Sequence, residues 1–111
     1  MDSATGDLGR KPWLLCLNLQ REFIMPGRPF YAPAGPAAAT SARRCLSRAR
    51  DYGWTIVHVQ TDAARRARSD EFARPIDGLE PLPSEPLFRI AQRSAFANDD
   101  LRNRVLSERP P

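Results

Sequence analysis

Lysine is nearly missing from this 111-residue sequence: of its 17 basic residues only Lys11 is a lysine, and the others are arginines. There is one histidine, His58, and there are two cysteines, Cys16 and Cys45. Two isolated thiols cannot build a disulfide framework, and no CxxC spacing offers a zinc site. They read as small buried hydrophobes. No apolar run approaches the roughly 20 residues that a bilayer-spanning helix needs. The stretch Met1 to Arg10 is small and polar and lacks the apolar core of a signal peptide. The expected compartment is therefore the cytoplasm, with no membrane association.

What is present is ordinary for a globular chain: 41% hydrophobic and 27% charged residues, enough for one modest domain. The net charge is +4. Arg65, Arg66 and Arg68 form the densest basic cluster, but Asp62, Asp70 and Glu71 flank it and no aromatic residue is interleaved for base stacking. An arginine-rich solvated surface explains this better than nucleic-acid binding.

Residues 1–11 read as a flexible leader. Pro12 to Leu19 is almost unbroken apolar sequence, apart from Asn18, and suits a strand buried on both faces of a parallel sheet. Residues 20–35 carry Pro26, Gly27, Pro29, Pro33 and Gly35 and read as loop. A helix is predicted over 36–52, with Ala38, Ala42, Cys45, Leu46 and Ala49 as its apolar face, Pro36 in its first turn and Gly53 just past its end. Trp54 to Gln60 is rich in β-branched residues and predicts the next strand. Strand, helix, strand with short joints makes a βαβ unit with parallel strands. Residues 61–86 are polar and broken by proline, with a short helix fitting near 70–74. Leu87 to Ile90 predicts a third strand. Asn98 or Asp99 can cap a last helix carrying Leu101, Val105 and Leu106. A doubly wound sheet normally continues beyond this point.

Three segments, in order and at fitting separations, resemble the isochorismatase-like cysteine hydrolases, the family that includes nicotinamidases and carbamoylsarcosine amidases. Leu14 to Phe23 is similar to the family's opening strand, which runs into Asp, a hydrophobic residue, Gln, two variable residues and Phe. Ala49 to Val59 is similar to its first helix end and second strand. Glu80-Pro81 to Glu85-Pro86, followed by Arg93-Ser94-Ala95-Phe96, is similar to its proline-rich approach to a strand, a lysine and Ser-Ala-Phe. The resemblance implies an α/β fold, a three-layer Rossmann-like parallel sheet, over residues 12–109. About three strands and two main helices of that fold are covered. Ligands would sit at the C-terminal ends of the strands.

The family's chemistry is nucleophilic: a cysteine thiolate attacks, an Asp takes its proton and a Lys steadies the charge. The resemblance puts the Asp at Asn18, and an amide oxygen is no base at neutral pH. It puts the Lys at Ile90; Arg89 is adjacent but points to the other face of a strand. The family's cysteine opens a later helix, which neither Cys16 nor Cys45 matches. No catalytic residue is therefore intact, and loss of several members of such a unit predicts an inactive chain. Nicotinamidases bind a metal through Asp-x-His after the second strand; here Asp62 stands without a histidine, so neither metal nor other cofactor is implied. Gln20, Phe23, Ser94 and Phe96 match positions around the family's pocket mouth, although Phe23 and Phe96 would equally fill core and Ser94 cap a turn. Cys16 and His58 fall on neighbouring strands, and the expected reading is a buried thiol beside a hydrogen-bonded histidine.

In the parent fold the first strand is central, with the other two strands found here on one side of it. On that order Trp13 to Leu19 would here be expected to become an edge, apolar on both faces and a template for another strand. Self-association or a complementary protein chain follows as the expected partner. An inactive remnant, a binding or scaffold subunit, and half of a split hydrolase are the three resulting readings. The replaced Asn18 and Ile90 count against the last.

Overall fold

The protein is described here from a computed structural model that covers residues 11–28, 31–61, 70–90 and 98–110. The predicted leader therefore lies, but for Lys11, outside the described residues. Three strands, β1 (Trp13–Leu17), β2 (Thr55–Thr61) and β3 (Leu87–Ile90), form one parallel sheet in the order β1-β2-β3. Trp13 lies opposite Thr55 and Cys16 opposite His58, while Thr61 lies opposite Ile90. Helix α1 (Gly35–Asp51) covers one face, and α3 (Asp99–Glu108) covers the other. A single turn, α2 (Asp70–Ala73), packs beside a 3-10 turn at Arg21–Phe23. The expected three-layer α/β architecture is what the chain adopts.

Side chains alternate across the strands and divide the core in two. On the α1 face Cys16, Ala39, Leu46, Ala49, Ile56, Ile76 and Leu79 form one buried cluster. On the α3 face Val57, Val59, Ile90 and Leu101 form the other, with Trp13, Leu15, Phe88 and Val105 packed against it. β2 is buried from Ile56 onward because, among the described strands, it has a strand on each side and a helix over each face.

Local physics explains where the elements begin and end. At the end of α1 the Gly53 N–H donates to the Arg50 carbonyl and the Trp54 N–H to the Ala49 carbonyl, with Gly53 at φ 73°. This is a Schellman closure, which needs a residue in the left-handed region and favours glycine there. It takes Trp54 into the helix end, so β2 starts at Thr55, one residue later than predicted. β1 stops at Leu17, two residues early, because Asn18 turns left-handed with φ 56°. Asn98 caps α3, its side chain accepting from the Leu101 N–H at 3.0 Å, with Asp99 and Asp100 in the first turn. Its amide also donates to the Arg89 carbonyl at 2.8 Å, tying the helix to β3.

Two predicted faces need correction. The buried stripe of α1 is Ala39, Leu46 and Ala49, with Ala42 partly buried beside them; Cys45 and Ala38 are exposed. Each helical step turns the side chain by ~100°, so Cys45 is swung clear of the sheet once Leu46 faces it. On α3 Leu101 is fully buried, but Leu106 is 66% exposed, because this short helix meets the sheet only along Leu101 and Val105.

Candidate functional site

The parallel sheet brings Asn18, Thr61 and Ile90 to one end, where the three strands finish. Two strand spacings, roughly 10 Å, separate the outer two. The Asn18 N–H donates to the Val59 carbonyl at 2.8 Å, and the Asn18 carbonyl accepts from the Gln20 N–H at 2.8 Å. These bonds hold the residue in the left-handed conformation, which asparagine tolerates better than most. Its Oδ1 is buried without a hydrogen-bond partner among the described residues. Ile90 is 4% exposed and belongs to the α3-side core. Arg89, its neighbour, is exposed on the other face.

Gln20 is fully buried. Its amide nitrogen donates to the Thr61 carbonyl at 3.2 Å and the Ala73 carbonyl at 3.0 Å, while its Oε1 accepts from the Thr61 N–H at 3.0 Å. The side chain thus bolts the end of β2 to the α2 turn beneath the strand ends. Phe23 is half-buried in the 3-10 turn, and its carbonyl accepts from the Ala32 N–H at 2.9 Å. Beside it, buried Glu22 pairs with Arg28 at 3.1 Å, and the Arg28 guanidinium lies 4.0 Å from the centre of the Phe72 ring. Ser94, Phe96 and Asp62 lie outside the described residues. Among the described residues no group of three His, Cys, Asp or Glu could hold a metal ion.

A second polar cluster escaped the sequence reading. It lies on the α1 face of β2, under the loop that leads into β3. His58 Nε2 is 2.8 Å from Glu85 Oε1. Arg50 of α1 grips the same carboxylate with Nε at 2.8 Å and a terminal nitrogen at 2.7 Å. The Leu82 N–H donates to it at 2.9 Å. The His58 and Glu85 side chains are 3% and 7% exposed. Burial by itself would raise the Glu85 carboxyl; the Arg50 bonds, the Leu82 N–H and the His58 ring outweigh it and hold the group down at about 2. A cavity of about 350 Å³, lined in part by Arg50, Trp54, Glu85 and Arg104, opens beside the cluster at the beginning of β2. The cluster therefore lies away from the strand C-termini. The one clue in the sequence was a lone histidine within the apolar run Ile56–Val59; nothing linked it to Glu85, 27 residues away.

Cys16 does lie opposite His58. Yet burial, and then the Glu85 charge, push its thiol up to about 11, with Arg50 opposing. A thiol so placed stays protonated at neutral pH and is a poor nucleophile. Iodoacetamide at pH 7.5 is expected to label exposed Cys45 and to leave Cys16 unmodified until the protein is unfolded, as read by peptide mass. Labelling of native Cys16 at the rate of Cys45 would contradict this.

Comparison with known proteins agrees with this arrangement. The isochorismatase domain family matches residues 12–109. A maleamate amidohydrolase of Pseudomonas putida is 44% identical over 51 residues, which is 46% of this chain and 24% of that protein. An isochorismatase-like hydrolase of Alkaliphilus metalliredigens superposes with a TM-score of 0.76 at 19% identity, covering 91% of this chain and 62% of the other. An N-carbamoylsarcosine amidase of Thermoplasma acidophilum gives a TM-score of 0.72 at 20% identity, covering 90% and 63%. The chain spans less than two thirds of these relatives' length. No helix among the described residues is long and apolar enough to cross a membrane. On the match over residues 12–109 and the shared fold, the chain belongs to the isochorismatase family.

Proposed function

We propose that this chain is a member of the isochorismatase family that does not hydrolyse on its own. The observation that carries this reading is the pair Asn18 and Ile90. Where the resemblance calls for a base, Asn18 offers a neutral amide whose buried Oδ1 has no described donor. Where it calls for a cation, Ile90 is uncharged and packed among Val57, Val59 and Leu101. Neither thiol compensates. Cys16 is buried within β1, and Cys45 is exposed on α1. Without a base or a positive charge a thiolate is neither formed nor held at neutral pH.

The test is turnover of the compounds that name the relatives: maleamate, N-carbamoylsarcosine and isochorismate. At micromolar protein, product release is expected to match the buffer control. Hydrolysis above that control that disappears in Asn18→Ala would overturn the reading.

A further inference from the structure

The cavity of about 350 Å³ at the beginning of β2 has walls from four parts of the chain. Arg50 comes from α1, and Trp54 follows that helix directly into β2. Leu82, Ser84 and Glu85 come from the loop before β3, and Arg104 comes from α3. Its volume falls within the range of small-ligand pockets, roughly 300–1,000 Å³. It lies at the other end of the strands from Asn18 and Ile90, apart from the positions that the resemblance assigns.

The hydrogen-bonding groups around it are unbalanced. The acceptors are spent. Glu85 Oε1 meets an Arg50 terminal nitrogen, the His58 ring and the Leu82 N–H, and its Oε2 meets Arg50 Nε. The Leu82 and Pro86 carbonyls accept from the Glu85 and His58 N–H groups. The donors are not spent. Arg50 uses Nε and one terminal nitrogen, on Glu85 and the Glu80 carbonyl, which leaves its other terminal nitrogen without a partner among the described residues. Arg104 engages Nε, on Glu108 at 2.7 Å, and neither terminal nitrogen has a partner there. The Trp54 indole N–H and the Ser84 hydroxyl have none either. A site with donors to spare and its acceptors occupied selects a ligand made of acceptors.

Charge points the same way. Two guanidinium groups line the cavity against one carboxylate, which Arg50 already neutralises. The Arg104–Glu108 pair is exposed at both ends, and such pairs contribute little, so Glu108 holds Arg104 weakly. Planar guanidinium groups suit a carboxylate, which accepts two parallel N–H bonds.

The remaining wall is flat and apolar. Trp54 is 40% exposed, and Tyr52 backs its ring with the centroids 6.2 Å apart and the planes 30° from parallel. Its backbone N–H is tied to the Ala49 carbonyl. An indole held in this way offers a face for stacking, with exposed Leu82 beside it.

We propose that this cavity binds a small planar aromatic carboxylate, its ring on Trp54 and its carboxylate shared between the unused nitrogens of Arg50 and Arg104. The site needs neither Asn18 nor Ile90 and is independent of the catalytic reading.

The probe is benzoate, titrated into the ¹⁵N-labelled full chain at neutral pH. The Trp54 indole N–H signal, identified by its loss in Trp54→Phe, is expected to shift saturably with a dissociation constant on the order of 1 mM, ordinary for so small a ligand. Benzamide keeps the ring and loses the charge; cyclohexanecarboxylate keeps the charge and loses the flat face. Each is expected to bind at least ~10-fold more weakly. Arg104→Ala changes a side chain whose one bond is to exposed Glu108, so it should keep a cooperative melt and weaken benzoate ~10-fold. A Trp54 signal that does not move overturns the proposal. So do benzamide or cyclohexanecarboxylate binding as well as benzoate, and an Arg104→Ala protein that binds as the parent does. Shifts confined to arginines away from the cavity mean diffuse attraction to a basic surface and overturn it too. The comparison of the three ligands needs no variant, so it decides the matter even where Arg104→Ala fails to fold.

Discussion

Replacing Glu85 by alanine is expected to lower the unfolding free energy by about 3 kcal/mol, the range for removing one member of a buried ion pair. The cost comes from what stays behind. Arg50 loses both of its short bonds, His58 loses its 2.8 Å partner, and the Leu82 N–H loses its acceptor. The same carboxylate fastens three parts of the chain, since α1, β2 and the loop before β3 meet at it. Glu85→Gln keeps the shape and removes the charge, and should cost nearly as much. The pH dependence separates charge from packing. The folded carboxyl is held at about 2, below its ordinary 4.5, so its contribution is complete above pH 4.5 and is lost as pH falls toward 2. Inside that window the gap between the parent protein and Glu85→Gln should shrink by about 1.4 kcal/mol per pH unit. Urea titrations at pH 7 and pH 3.5 measure it. A gap that stays constant between those two values would show that the charge contributes nothing.

Gln20→Ala should be comparably severe, at about 3 kcal/mol. It removes the acceptor of the Thr61 N–H and the donor to the Thr61 and Ala73 carbonyls, all at a fully buried position. Gln20→Glu is the sharper variant. It keeps the volume but points a carboxylate oxygen at two carbonyls, so it should destabilise at least as much as alanine. A Gln20→Glu protein that melts within about 1 °C of the parent would rule out the bolt between β2 and the α2 turn. Either variant should also raise protease sensitivity around residues 70–76, which the bolt anchors.

Much of the fold was legible along the chain because it depends on neighbours in sequence. The apolar run at Trp13–Leu17, the β-branched run at Thr55–Thr61 and Leu87–Ile90 were visible as strands, and Asn98 as a helix cap. Gly53 marked the end of α1 because a Schellman closure needs a left-handed residue. The edges of these readings slipped where a bond decides the matter. Trp54 looks like strand sequence but closes a helix; Leu19 looks like strand sequence but follows a residue at φ 56°. Cys45 has the right spacing for a buried face, yet which side of a helix meets a sheet is settled by the packing of Leu46 and Ala49.

The identities of Asn18 and Ile90 are fixed by the chain itself: no folding turns an amide into a base or an isoleucine into a cation. The parallel order and the family also follow from the sequence. The partnership of His58 with Glu85 and Arg50, the use of Gln20 as a bolt and the inertness of Cys16 belong to the tertiary structure. They rest on residues 27 to 53 positions apart meeting where water is excluded. Hydrogen-bond partners and proton affinities are set by distance and burial, and a linear sequence records neither.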